Sequence, residues 1–133
     1  MPLTLDEVNK VVVAAQKKAA EIGIKITVCV VDEGGFVQGT SRMDGAPPMS
    51  PQVAEAKASG CAYTMRDGAT LAQIYTDRPG FFAVVKEFAR MPLVPGLGSS
   101  LIKRGNAVVG AVGVSGGKPE QDLECCTAGL AAL

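Results

Sequence analysis

Histidine and tryptophan are missing from this chain of 133 residues, and aromatic residues supply only 5% of it. Without imidazole, the Ser-His-Asp and Cys-His arrangements of nucleophilic catalysis are excluded, as is any zinc site that relies on His. With so few aromatics, Ala, Val and Gly must do most of the packing. Small side chains bury little area each, so such a core gains from the further burial that an oligomer brings. Net charge is missing too: thirteen basic residues are matched by thirteen acidic ones. No basic stripe with interleaved aromatics is present, which argues against nucleic acid as a partner. The longest charge-free, strand-like stretch, Gly105 to Gly117, is too short and too rich in glycine to cross a bilayer, so no membrane association is expected. Asp6 and Glu7 stand where a signal peptide would carry basic residues and an apolar run, so a cytoplasmic location is the expectation.

What is present suits one α/β domain over residues 1–133: 47% of the chain is hydrophobic and 20% charged. The four cysteines, Cys29, Cys61, Cys125 and Cys126, form no C-x-x-C pair. They read as small buried apolar residues and not as a metal set.

Along the chain, Thr4-Leu5-Asp6-Glu7 is a capping box that opens a helix to about Glu21, with Gly23 as its stop. Ile24 to Asp32 is a strand with two apolar faces, Ile26, Val28 and Val30 against Thr27, Cys29 and Val31, so it should be covered on both sides. Glu33-Gly34-Gly35 turns the chain into a second strand, Phe36 to Arg42. A Pro-rich loop leads to Ser50-Pro51, read as N-cap and first helical residue of a helix to about Met65. Helical pieces follow near Thr70–Tyr75 and Gly80–Arg90, then a loop from Met91 to Ser100. A second hairpin joins Leu101–Lys103 to Ala107–Ser115, and Pro119 starts a last helix to about Leu130. Two hairpins imply an antiparallel sheet of four strands with helices packed on it.

Several segments together resemble the GlcG/HbpS-like family, also described as the haem-degrading-domain or DUF336 group. They are Val31-Asp32-Glu33-Gly34-Gly35, Arg42 to Pro47, the helix around Ala56-Lys57-Ala58, Pro95-Gly96, the hairpin ending Val109 to Gly116, Pro119 to Asp122 and Ala128-Gly129-Leu130. Their order and spacing span about residues 3 to 133. The resemblance implies a profilin-like fold, three layers around a five-stranded antiparallel sheet, with the fifth strand hidden in a segment read above as loop. It also implies a homo-oligomer and an accessory role in a catabolic pathway. Some members bind haem, but with no histidine here an imidazole ligand is impossible.

Three segments are candidates for chemistry. Lys57 shares one side of its helix with Val53, Cys61 and Met65, among Ala54, Ala56, Ala58 and Gly60. A cation among such small neighbours suits a pocket for a carboxylate; the competing reading lays its stem along the helix and its ammonium in water. The loop Arg42-Met43-Asp44-Gly45-Ala46 offers a guanidinium able to grip a carboxylate with two hydrogen bonds, or an Arg42–Asp44 turn that merely holds itself. Gly113-Val114-Ser115-Gly116-Gly117 ahead of the last helix offers backbone amides to an anion, unless Glu120 and Asp122 already serve that helix end. Asp32 suits the hairpin turn better than catalysis.

From these residues the expected function is the binding of a small organic anion, with Arg42, Asp44, Gly45, Ala46, Gly113, Ser115, Gly116 and Asp122 around it. The alternative is an enzyme acting on a small carboxylate by proton transfer, isomerisation or hydrolytic or deaminating chemistry, with Lys57 or Asp32 moving the proton and Arg42 holding the anion. A haem-binding protein without His ligation is the second alternative, and a purely structural or regulatory partner the last.

Overall fold

A computed structural model describes all 133 residues. Helix α1 (Leu5–Glu21) starts at the capping box: the Thr4 hydroxyl accepts the Glu7 amide at 3.1 Å, and the Glu7 carboxylate accepts the Thr4 amide at 3.0 Å. It ends in a Schellman turn. Gly23 takes φ +77°, its amide donates to Ala20 O, and the Ile24 amide reaches back to Ala19 O at 2.9 Å.

Strands β1 (Thr27–Asp32) and β2 (Val37–Arg42) form the first hairpin, with Gly35 at φ +86° in its turn. Helix α2 (Ser50–Thr64) follows, then α3 (Gly68–Asp77), α4 (Pro79–Val85) and a 3-10 turn at Lys86–Phe88. Strands β3 (Ser99–Arg104) and β4 (Ala107–Ser115) form the second hairpin, and α5 (Pro119–Leu130) closes the chain. The sheet is wholly antiparallel in the order β2-β1-β4-β3.

Helices cover both faces, so the fold is the expected three-layer α+β arrangement. On one face α1 and α5 pack together over Val28, Val30, Val112 and Val114. On the other, Ala54, Ala58, Cys61 and Ala62 of α2 lie on Cys29, Val31, Leu101 and Ala111. Burying a Val side chain fully contributes roughly 1.5–3 kcal/mol, and all four valines of the first face are buried. The second face compensates for small residues by close approach. A Cβ at Gly113 would run into the Ala54 carbonyl and the Ala58 amide, so glycine is what lets α2 lie directly on β4.

The fifth strand implied by the family resemblance is not formed. Met91 to Gly98 stays irregular because Pro92 and Pro95 withdraw amide donors and Gly98 turns at φ +102°. Several boundaries differ from expectation: β1 begins at Thr27, three residues after Ile24, and α3 is longer than Thr70–Tyr75 at both ends. Met49, not Ser50, caps α2; the Ser50 hydroxyl instead donates to Pro47 O at 2.7 Å and shares a 2.8 Å hydrogen bond with Thr27 Oγ1. Strand β3 begins at Ser99, two residues early.

Candidate functional site

Lys57 points inward, between helix and sheet, not into water. Only 8% of it is exposed. Its ammonium donates to Val114 O at 2.9 Å, Leu97 O at 3.1 Å and Asp122 Oδ2 at 3.2 Å. An ammonium has three protons, and here all three have protein acceptors. The other Asp122 oxygen, Oδ1, accepts the Gly117 amide at 2.8 Å. Burial pushes the Asp122 carboxyl up from the usual carboxylate range, against the pull of Lys57 and the Gly117 amide. A Cβ at Gly98 would come within 2.6 Å of Asp122 Cβ and 3.1 Å of Lys57 Nζ, so the loop closes over the pair only because it has no side chain there. The anion that Lys57 was expected to bind is thus supplied by α5 of the same chain.

Asp32 lies elsewhere. It sits four residues along β1 from Val28, the partner of Val114, which is about 13 Å at the usual rise of a strand. Its Oδ1 accepts the amides of Gly34 at 2.9 Å and Phe36 at 3.0 Å, so it shapes the hairpin turn. Arg90 holds the same turn from outside, donating to Gly35 O at 2.7 Å with its guanidinium 4.5 Å from the centre of the Phe36 ring.

The Arg42–Ala46 loop and the Gly113–Gly117 segment do meet, at the opposite end of the sheet. Thr27 pairs with Arg42 on one side and Ser115 on the other, so these three share one row and one face. Arg42 donates to Ala46 O through Nε at 3.1 Å and Nη2 at 2.7 Å, which leaves the far side of an exposed guanidinium in solvent. No ion pair forms between Arg42 and Asp44.

A residue missed in the sequence reading joins the two segments. Lys25 Cγ lies 3.6 Å from where a Cβ of Gly45 would be, and its carbonyl blocks any side chain at Gly116, which adopts φ +140°. Lys25, Arg42 and Lys118 are exposed at this end, and none is ion-paired. The first hairpin carried half of the signal, since counting outward from Thr27 puts Lys25 opposite Asp44; the pairing of β1 with β4, which puts it opposite Gly117, is set only by packing. The amides expected for an anion are partly spent, since Gly117 donates to Asp122 and Lys118 to the Gln121 side chain at 2.9 Å. Positive charge here comes from side chains more than from backbone.

Beside this end, on the outer side of α2, runs a groove of about 340 Å³ lined by Met49, Val53, Ala56, Met91, Pro92 and Val94, with Gln52 as its one polar side chain. A larger hollow of about 490 Å³ lies along α5, where Glu120 and Glu124 give it acidic walls, and its Lys18 is already paired with Glu124 at 3.3 Å. The four cysteines are buried and unpaired. Burial raises Cys29 and Cys61 to about 12 and Cys125 and Cys126 to about 11, so none is a ready nucleophile. No helix is long and apolar enough to cross a membrane.

An uncharacterized 15.0 kDa protein of the dhaT-dhaS intergenic region of Citrobacter freundii is 30% identical over 120 residues, covering 90% of this chain and 84% of that protein. The corrinoid adenosyltransferase PduO of Citrobacter freundii is 28% identical over 135 residues; the match takes in all of this chain but only 39% of the adenosyltransferase. The crystal structure of a PduOC–heme complex superposes with a TM-score of 0.91 at 24% identity, covering 100% of this chain and 96% of that one, which shows a common fold. A family model described as haem degrading protein HbpS-like matches residues 3–131, and the chain belongs to that HbpS-like family.

Proposed function

We propose that this protein binds a small organic anion at the end of the sheet that carries Lys25, Arg42 and Lys118, as an accessory to a catabolic pathway. The observation that carries the reading is the junction at Lys25, which brings the Arg42–Ala46 loop and the Gly116–Gly117 turn together with three unpaired cations. Arg42 is already oriented by Ala46 O, so its free edge is presented without further loss of rotamer freedom. Ser115, half-buried in the same row, adds a hydroxyl. Asp44 and Gly45 shape the loop, and Gly113 and Asp122 support the floor through Lys57. A carboxylate fits such a donor set better than a neutral or cationic ligand.

Binding is favoured over proton-transfer catalysis because neither candidate base serves the site: Lys57 gives all its protons to the protein, and Asp32 lies at the far end of β1, where its Oδ1 accepts the amides of its own turn. The test is a calorimetric titration with benzoate, glycolate and phosphate beside the Arg42→Gln variant. The expected result is carboxylate binding that weakens at least tenfold in the variant and falls as salt rises. Equal affinity in the parent and the variant would overturn the site.

Haem is the second reading, favoured by the family description and by the heme bound to PduOC. In this chain its iron would have to take Met or Tyr. The cysteines are buried, and the Tyr63 hydroxyl already donates to Phe88 O at 2.8 Å.

A further inference from the structure

The groove beside α2 adds a size and polarity to the anion. Resting on the reading above, we infer that the ligand is an amphipathic carboxylate, whose head meets Arg42 and whose apolar body lies in the groove lined by Met49, Val53, Ala56, Met91 and Val94.

The outer stripe of α2 is formed by Val53, Ala56 and Gly60, at helical spacings of three and four, and the segment Met91–Val94 straps across it. At Gly60 the strap is seated: with no side chain there, Leu93 drops in and is buried, its Cδ2 3.3 Å from where a Cβ would be. At Ala56 and Val53 the same strap stands off and leaves about 340 Å³ of apolar space. Leu93 therefore fills the Gly60 end, and the free space lies toward Met49. Met49 is three residues from Ala46, the carbonyl that orients Arg42, so their Cα atoms are at most about 11 Å apart. The turn between them is tight, with the Ser50 amide on Pro47 O at 2.9 Å and the Ala46 amide on Met43 O at 3.1 Å. The cation thus stands near the Met49 end, which decides the polarity of the occupant: charge at Arg42, apolar body toward Gly60. The volume is at the small end of ligand pockets, so one chain or ring fits. The groove carries no charged side chain, and Gln52 offers its only polar contact.

The experiment is a calorimetric titration of the full chain with straight-chain carboxylates from acetate to decanoate. Matching methyl esters and the variants Met49→Gln and Arg42→Gln are run in parallel. Each buried methylene should tighten binding about fourfold until the groove is full. Met49→Gln, which keeps the length of an exposed side chain and adds no charge beside Arg42, should shrink that increment for the longer acids. Arg42→Gln should weaken every acid by one common factor and leave the slope intact. Affinity independent of chain length, with binding of acetate retained, would overturn the groove and leave the anion site standing. Esters that bind as well as acids would overturn the anion site and leave the groove. No binding by any acid or ester would remove both.

Discussion

Lys57 and Asp122, 65 residues apart in sequence, form an ion pair 3.2 Å long between α2 and α5, and both are almost wholly buried. A buried pair adds little net stability, but removing one partner strands the other charge in a medium that cannot solvate it. Lys57→Met should therefore cost about 3–5 kcal/mol, measured by urea denaturation. Adding Asp122→Asn, which keeps an acceptor for the Gly117 amide, should recover much of the deficit. A single variant within about 1 kcal/mol of the parent would mean that the clamp is not formed in solution.

Glu7 tests a second pair, at the surface. Its carboxyl is lowered from 4.5 to about 2, first by the hydrogen bond from Arg104 and then by the Thr4 amide. A lowered carboxylate contributes stability that is fully present above the unfolded value and is lost as pH falls from about 4.5 toward 2. Carbon-detected NMR titration should find a Glu7 midpoint near the low value, moving back toward 4.5 in Arg104→Gln. An unchanged midpoint would assign the shift to the capping box alone.

Haem should bind weakly or not at all. Members that hold the iron by imidazole have no counterpart here, since the chain contains no histidine. Titration followed at the Soret band is expected to show a broad, weak change. A sharp band with submicromolar affinity would require Met or Tyr ligation and would favour the haem reading over the carboxylate one.

Self-association is expected through the α3–α4 arm. Helix α4 packs only against α3 and the 3-10 turn, and Val84 is 60% and Phe88 72% exposed. Tyr75 and Phe81 also reach the surface there. A patch this apolar is covered at modest cost by another copy. Light scattering at micromolar concentration should give a mass above that of one 13.6 kDa chain, and Val84→Asp with Phe88→Asp should reduce it. A parent that is monomeric throughout would remove this interface.

The elements themselves were legible without coordinates. The capping box at Thr4, the glycine stop at Gly23, the alternation of Ile26 to Val31 and the proline at Pro119 are local signals. They specify backbone conformation within a few residues, and the helices and strands form where those signals stand. The double-sided apolarity of β1 likewise implied cover on both faces. The fifth strand failed because it was carried by family resemblance alone, while Pro92 and Pro95 argued locally against it.

The site was legible only in part. Sequence identified Lys57, Asp122, Arg42 and the glycine-rich turn as unusual, because charge among small residues and glycine before a helix are departures from ordinary packing. Whether Lys57 meets a ligand or Asp122 depends on where α5 returns to the sheet. Whether Arg42 has company depends on which residue the register sets beside it, and the answer is Lys25. Chain-local chemistry determines the conformation of each segment and the charges it brings. Which charges neutralise one another and which stay open to a ligand is decided when distant segments pack, because a few ångströms separate a saturated ammonium from a free one.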